Sequence, residues 1–420
     1  MCENNTFLQN NVSKFSKSVQ QTCKLSSIAK VERGKFSIRP RNNPAYYGGY
    51  MPFVQTGDIS ASNKLLMKYS QTLNDKGVSV SKIFPAGTIL ITIAANIGDV
   101  AITTFPVACP DSVVGIAAKK CNMHWLYYVL NSKKHILNAL ATQNAQKNIN
   151  LEILNSLKIK TSPLPEQEKI AEILSCWDDA IEQLTDLIAE KKRQKHGLMQ
   201  QLLTGKQRLP GFNKPWKNVK LGDVGKITSA GVDKKIIEGE KKVRLLNYMD
   251  VYRNTFITDN TLSMVVSAPD KKIINCNLNK GDIFFTPSSE TRSDIAHSAV
   301  VVEDIKDAVY SYHIVRLRLT QNMDLCFSGY IFDIESFYKQ AYCLCEGSGQ
   351  RYVLTQDYFR NMCVYIPSDI SEQKAIANVL MTADTEIDQL NKKLDVLKEQ
   401  KKGLMQKLLT GQIRVKVDKK

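Results

Sequence analysis

Residues 166–205 read EQEKIAEILSCWDDAIEQLTDLIAEKKRQKHGLMQQLLTG, and residues 372–411 read EQKAIANVLMTADTEIDQLNKKLDVLKEQKKGLMQKLLTG. The second stretch repeats the first at a constant offset of 206 residues, without a gap, and half of the aligned positions are identical. Chance similarity between two Lys-rich helices would not hold one register from Glu-Gln to Leu-Leu-Thr-Gly. The chain is therefore two copies of one unit, each a globular part followed by a long helix. In the first copy Ile170, Leu174, Trp177, Ile181, Leu184 and Ile188 alternate at spacings of four and three, and Leu198 and Leu202 resume the stripe. In the second copy the stripe is Ile376, Leu380, Ala383, Ile387, Leu390, Leu394, Leu397, Leu404 and Leu408. That rhythm predicts a coiled-coil seam. Lys195 and Lys401 fall on it, with stems that can pack while their ammonium groups reach water. Gly197 and Gly403 interrupt the helices at a cost of about 1 kcal/mol each against Ala. A tolerated glycine and a close approach by another chain are both open readings there.

One helix cannot bury such a stripe alone, and two copies in one chain can bury it against each other. Each runs about 38 residues, about 57 Å. The link 205–221 is short, so the second globular part begins near the far end of the first helix, and the second helix meets the first most simply by running back. The expected fold class is α+β: two pseudo-twofold-related α/β domains separated by two long antiparallel coiled-coil helices. The expected divisions are 1–162 (with 1–20 flexible), helix 163–208, 209–366, helix 367–414 and a basic tail 415–420.

The 420 residues suffice for two domains and two helices. The net charge of +16 and pI near 9.2 favour a polyanionic partner, nucleic acid before anionic membrane. Ten cysteines include no Cys-x-x-Cys and no His at ligand spacing, which argues against zinc and for reduced thiols in a cytoplasm. The polar start lacks the apolar core of a signal peptide, and the most apolar run, 84–108, contains Pro, Gly, Asn and Asp and cannot span a bilayer.

Along the first domain, LSSIAKVERGKF reads as a strand-like run ending in a turn, and MPFVQ as a strand. Residues 87–119 read as three β-rich runs, 124–140 as one helix, 141–150 as a polar loop, and LNSLKIKTSPLP as a strand ending at Pro165, just before the long helix. The second domain follows the same order with less similarity, so two related modules face different targets on a shared frame.

Catalytic motifs are weak. Asn43-Pro44-Ala45-Tyr46 resembles the Asn-Pro-Pro-Tyr motif of adenine methyltransferases, but the second Pro is missing and no Phe-x-Gly-x-Gly loop exists; it reads as a turn. No Walker loop, Gly-x-Ser-x-Gly or His-Glu-x-x-His occurs, and the five His do not cluster. No catalytic residue and no metal ligand is expected. DNA-contact candidates in the first domain are Arg33, Lys35, Arg39, Arg41 and Asn42 in a basic turn, then Asn96, Gln143, Gln146 and Lys147 in loops. In the second they are Lys234, Lys235, Arg253, Ser289, Arg292, Gln350 and Arg351. Asn and Gln can pair bidentately with adenine and Arg with guanine, while Lys mostly neutralises phosphate.

NPAYYGGYMPFVQTGDI, then GTILIT, then PLPEQEKIAEIL, with GLMQ-x-LLTG closing each half, resembles the specificity (S) subunit of type I restriction–modification systems. The resemblance runs from about residue 25 to 414. It implies two target recognition domains, each reading half of a split sequence in double-stranded DNA. It implies helices that space those domains and dock two methyltransferase (modification) subunits, which carry S-adenosylmethionine. Restriction subunits using ATP and Mg would join them, and this chain itself would bind no cofactor and catalyse nothing. IPSDISEQ in the second half departs from Pro-Leu-Pro-Glu-Gln. Two other readings stay open: the specificity subunit of an orphan adenine methyltransferase, and a coiled-coil adaptor that binds proteins rather than DNA.

Overall fold

The structure, a computed structural model, describes residues 21–141, 148–349 and 351–417. The chain divides into two compact units, Met1–Thr185 with Lys393–Lys420, and Asp186–Lys392. The two long helices, Leu164–Leu202 and Ile370–Leu409, each contribute to both. Pro165 sits inside the first helical turn, where its missing N–H costs nothing.

The first unit is built on a five-stranded sheet in the order Ala29–Arg33, Val113–Ala118, Ile89–Thr92, Val100–Thr103, Leu65–Leu66. The second repeats that order with Gly225–Thr228, Val315–Leu319, Asp282–Phe285, Ser298–Val301 and Phe256–Ile257. In both, only the last pairing is parallel. The central strands are buried on both faces, so they read as continuous apolar runs rather than alternating ones. Alternation shows instead in the choice of core. Ile89 and Ile91 face one cluster and Leu90 the other; Ile283 and Phe285 face one and Phe284 the other.

The long helices cover the same face of each sheet. In the first unit Ile170, Ala171, Leu174, Leu408 and Leu409 join the core with Trp125 and Leu126. In the second unit Ile376, Ala377, Leu380, Leu202 and Leu203 do so with Phe327 and Tyr330. Every helix residue in one set has its counterpart 206 positions away in the other. Within each unit the two helix segments run antiparallel. Asp178 meets Lys401 and Glu166 meets Arg414 in the first; Lys191 meets Glu386, Lys195 meets Asp384 and Arg208 meets Glu372 in the second. Of the seam residues, Ile170, Leu174, Leu184, Ile188, Leu202, Ile376, Leu380, Ile387, Leu394 and Leu408 are buried. Trp177, Ile181, Leu198, Leu390, Leu397 and Leu404 are half-buried. A Cβ built on Gly197 or Gly403 meets nothing within 4 Å, so no neighbour in this chain requires either glycine. Leu174 and Leu380 are fully buried. Leu174→Ala and Leu380→Ala should each cost about 2–5 kcal/mol of unfolding free energy. Leu397→Ala should cost less, as urea titrations of the three variants would report.

The repeated Glu-Gln has a structural reason. Buried Glu166 and Glu372 each receive a two-nitrogen contact from an arginine that follows the other helix's Leu-Leu-Thr-Gly, Arg414 and Arg208. Gln167 accepts the backbone N–H of Asn122 and donates to Ser162 O; Gln373 accepts that of Asp324 and donates to Pro367 O. Asn122 and Asp324 are the N-caps of Met123–Ser132 and Leu325–Tyr330, so each Gln pins a domain helix to the start of a long one.

Three local expectations change. LSSI forms one helical turn before the strand Ala29–Arg33. Asn150 caps a helix over Leu151–Ser156, so only Lys158–Thr161 is strand. The helix read over 124–140 breaks at Lys133 into Met123–Ser132 and Lys134–Leu140. The break lets the second piece turn under the 96–99 loop, where Lys134 pairs with Asp99 and the Asn138 side chain donates to Ile97 O.

Candidate nucleic-acid interface

Loops from one end of each five-stranded sheet gather most of the candidate residues. In the first unit Ala29–Arg33 leaves the sheet at Arg33, Ile89–Thr92 leaves into 93–99, and Val113–Ala118 is entered from 110–112. In the second unit the equivalent strands lead into 229–240 and 286–297 and out of 311–314.

At the first sheet end three arginines converge on Asp111. Arg41 Nη2 lies 2.6 and 2.9 Å from its two carboxylate oxygens, and Arg39 Nη2 is 3.9 Å away. Arg33 Nε donates to the Asp111 carbonyl at 2.6 Å. Arg39 also donates to Phe36 O and Ile38 O. Asp111 thus gathers three guanidiniums, two at its carboxylate and one at its carbonyl, with one negative charge against three positive ones, and Lys35 and Asn42 lie exposed on the same turn. Cation against cation would otherwise splay this turn. The Asn43 side chain accepts from Ala45 N, confirming a turn at Asn-Pro-Ala-Tyr. Asn96 is exposed, and its Nδ2 donates to Ser60 Oγ at 3.1 Å beside Ala95, whose φ is 61°. Gln143, Gln146 and Lys147 lie outside the described residues, as does Gln350.

At the second sheet end, the strand Ser288–Ser289 pairs with Arg351–Val353, which pairs with Glu346–Ser348. Gly347 pairs with Tyr352 in this hairpin, and a Cβ on it, at its φ of 127°, would lie 2.1 Å from Arg351 O. Arg351, Tyr312, His313, Ser229, Ser288 and Gln356 line an open recess of about 280 Å³. Tyr312 is exposed, with its ring 3.9 Å from that of His313. Burial, then Lys234 and Arg351, hold His313 below the usual imidazole range, so near neutral pH it is uncharged and can accept or donate one hydrogen bond. Lys234 and Arg351, 117 residues apart, thus act on one imidazole, and Arg351 shares its recess. Lys235 is exposed beside Lys234, and its carbonyl accepts Ser267 N.

The remaining candidates separate by role. Arg292 is half-buried, with its guanidinium 5.3 Å from the Tyr342 ring and 5.6 Å from the Tyr352 ring, and donates to Cys345 O. It clamps the hairpin. Ser289 Oγ accepts Thr291 N, shaping its own loop. Arg253 lines a different recess with Tyr252, His297, Tyr338 and Asp333. Sequence reasoning missed Asp111, Tyr312 and His313. A Tyr-His pair just before a strand was the available signal for the last two. Among the described residues no group of three His, Cys, Asp or Glu could hold a metal ion, and no helix is long and apolar enough to cross a membrane.

The sequence profile of the type I restriction modification DNA specificity domain matches residues 18–192 and again 213–399. The type I restriction enzyme MjaVIII specificity subunit of Methanocaldococcus jannaschii is 26% identical over 302 residues, 70% of this chain and 70% of its own. The putative MjaX specificity subunit of the same organism is 25% identical over 317 residues, 71% and 69% of the two chains. Among solved structures, the S subunit of a type I restriction–modification system from M. genitalium superposes with a TM-score of 0.52 at 16% identity, covering 95% of this chain and 98% of that one. A chain from a study of complex assembly and conformational transition in the type I system superposes at 0.62 with 15% identity, covering 94% and 99%. At such identity these two speak to the fold alone.

Proposed function

The chain belongs to the type I restriction-modification DNA specificity family, and from that premise we propose that its two sheet ends each read one half of a bipartite DNA target. The observation that carries this reading is the shared placement. Arg33, Lys35, Arg39 and Arg41 in one unit and Lys234 and Lys235 in the other follow equivalent edge strands of equivalent sheets, although the loop sequences differ, and Arg351 joins the second set from the adjoining hairpin. Lysines and arginines there position the backbone, and the amides, Tyr312 and His313 address base edges. Two methyltransferase subunits and the restriction subunits dock on the chain, and S-adenosylmethionine, ATP and Mg belong to those partners. This chain contributes binding and orientation, not a reacting group.

The test is co-expression with the modification subunits in a host free of other adenine methylation, followed by mapping of methylated adenines. One motif of two short halves around an unspecified spacer is expected. A single contiguous motif would overturn the two-half reading, and no methylation from an assembled complex would overturn DNA recognition and favour the protein-binding adaptor.

A further inference from the structure

In each unit one carboxylate joins three elements. Asp178, on the first long helix, accepts hydrogen bonds from the Tyr128 hydroxyl of the domain helix Met123–Ser132 and from Lys401 on the second long helix. Asp384, on the second long helix, accepts from the Tyr330 hydroxyl at 2.6 Å and from Lys195 on the first long helix at 2.5 Å. Asp178 and Asp384 stand 206 residues apart, and so do Lys195 and Lys401. The tyrosines stand 202 apart, in domains that have lost that register, yet the same residue type meets the same carboxylate. Each lysine also lies over its tyrosine ring, at 5.5 and 5.3 Å. The seam lysines therefore do not reach for water: both are only 18% exposed. Lys64 extends the first cluster by donating to Tyr128 Oη and Ser175 Oγ.

Apolar contacts already hold each domain on its helices, through Leu174 and Ile170 in one unit and Leu380 and Ile376 in the other. Such contacts are non-directional and tolerate rotation of one element on another, and the Gln167 and Gln373 hydrogen bonds fix only the point where a domain helix meets the start of a long one. A charge-assisted hydrogen bond does not. The tyrosine hydroxyls remain donors, because burial and the adjacent carboxylate both push their ionisation up. We propose that Asp178 and Asp384 are positioning residues which lock the angle of each recognition domain on its helix segments, and so fix the spacer at which the two half-sites are read. This rests on the specificity reading above. It assigns to the helix–domain joint, rather than to helix length alone, control of the spacer.

The experiment uses the complex with its modification subunits. Methylation rates are measured on duplexes carrying the mapped half-sites at the mapped spacer, and with the spacer one base pair longer or shorter. In Tyr330→Phe, which removes only the hydroxyl, the preference for the mapped spacer should fall about tenfold, the scale of one charge-assisted hydrogen bond, while both half-site sequences stay the same. Tyr128→Phe gives an independent reading from the other unit. An unchanged spacer preference in both variants, with or without a lower melting temperature, overturns the proposal. Loss of assembly in both also overturns it, since the joint would then hold the fold rather than the angle. A wild-type complex that methylates no bipartite duplex would instead sink the specificity reading, which separates the two failures.

Discussion

A chain whose residues 209–366 are exchanged for the matching segment of another specificity subunit should methylate a target with one half replaced and the other kept. The structure makes that segment a detachable insert. The chain enters it through Trp216–Lys220 and leaves through Cys363–Pro367, and these two strands pair with each other from Trp216↔Pro367 to Lys220↔Cys363. Ser368 Oγ donates to Pro215 O at 2.6 Å, closing the neck. The first domain has the same neck, Gln21–Lys24 against Lys158–Thr161. Among the described residues, contacts that cross from the second domain to the helices and must survive the exchange include an N-cap whose backbone N–H meets Gln373, a hydroxyl that meets Asp384, and an apolar face for Ile376, Leu380 and Leu202. The donor segment should be chosen for a Tyr at the place of Tyr330. Each mismatched base pair costs about 1–3 kcal/mol, so two or more in the replaced half should weaken the original target by about a hundredfold or more. Mapping methylated adenines reads the outcome directly. A change in both halves would mean that the domains do not read independently.

How much of this was legible in the sequence depended on the distance over which each interaction acts. The helices were legible because their period is local and because the chain prints it twice at one offset. The same repeat singled out Glu-Gln, but not its purpose, since Glu166 meets an arginine 248 residues away and Gln167 a backbone group 45 away. Short elements were misread where a local cap or turn outweighed propensity. Asn150 makes a helix of residues that read as strand, and the turn at Lys133 splits one helix into two. The basic turn 33–42 was visible as charge, yet its order comes from Asp111, about 70 residues on, which no spacing rule connects to it. Arg292 shows the opposite limit. Its residue type suits DNA, but its guanidinium lies against two tyrosine rings and donates to a carbonyl, contacts that no spacing in the sequence connects to it.

The interface as assembled also predicts a steep response to salt. The chain carries a net charge of +16, and the two sheet ends offer Arg33, Lys35, Arg39, Arg41, Lys234, Lys235 and Arg351, with Asp111 offsetting one. Neutralising about six phosphates gives a slope near −5 in log affinity against log salt, so raising salt from about 50 to about 200 mM should weaken duplex binding by about a thousandfold. Fluorescence anisotropy of the assembled complex over that range measures the slope. Variants then apportion it. Arg351→Ala should reduce the slope by about one if that residue meets a phosphate. Asp111→Asn should steepen it, because removing the carboxylate frees Arg41 to meet a phosphate in its place. Arg292→Ala should leave the slope alone and lower affinity through the loosened hairpin, since its guanidinium is held between Tyr342 and Tyr352 and displaces no counterion. A flat salt response, or equal slopes in all three variants, would place the DNA on some other surface of these domains.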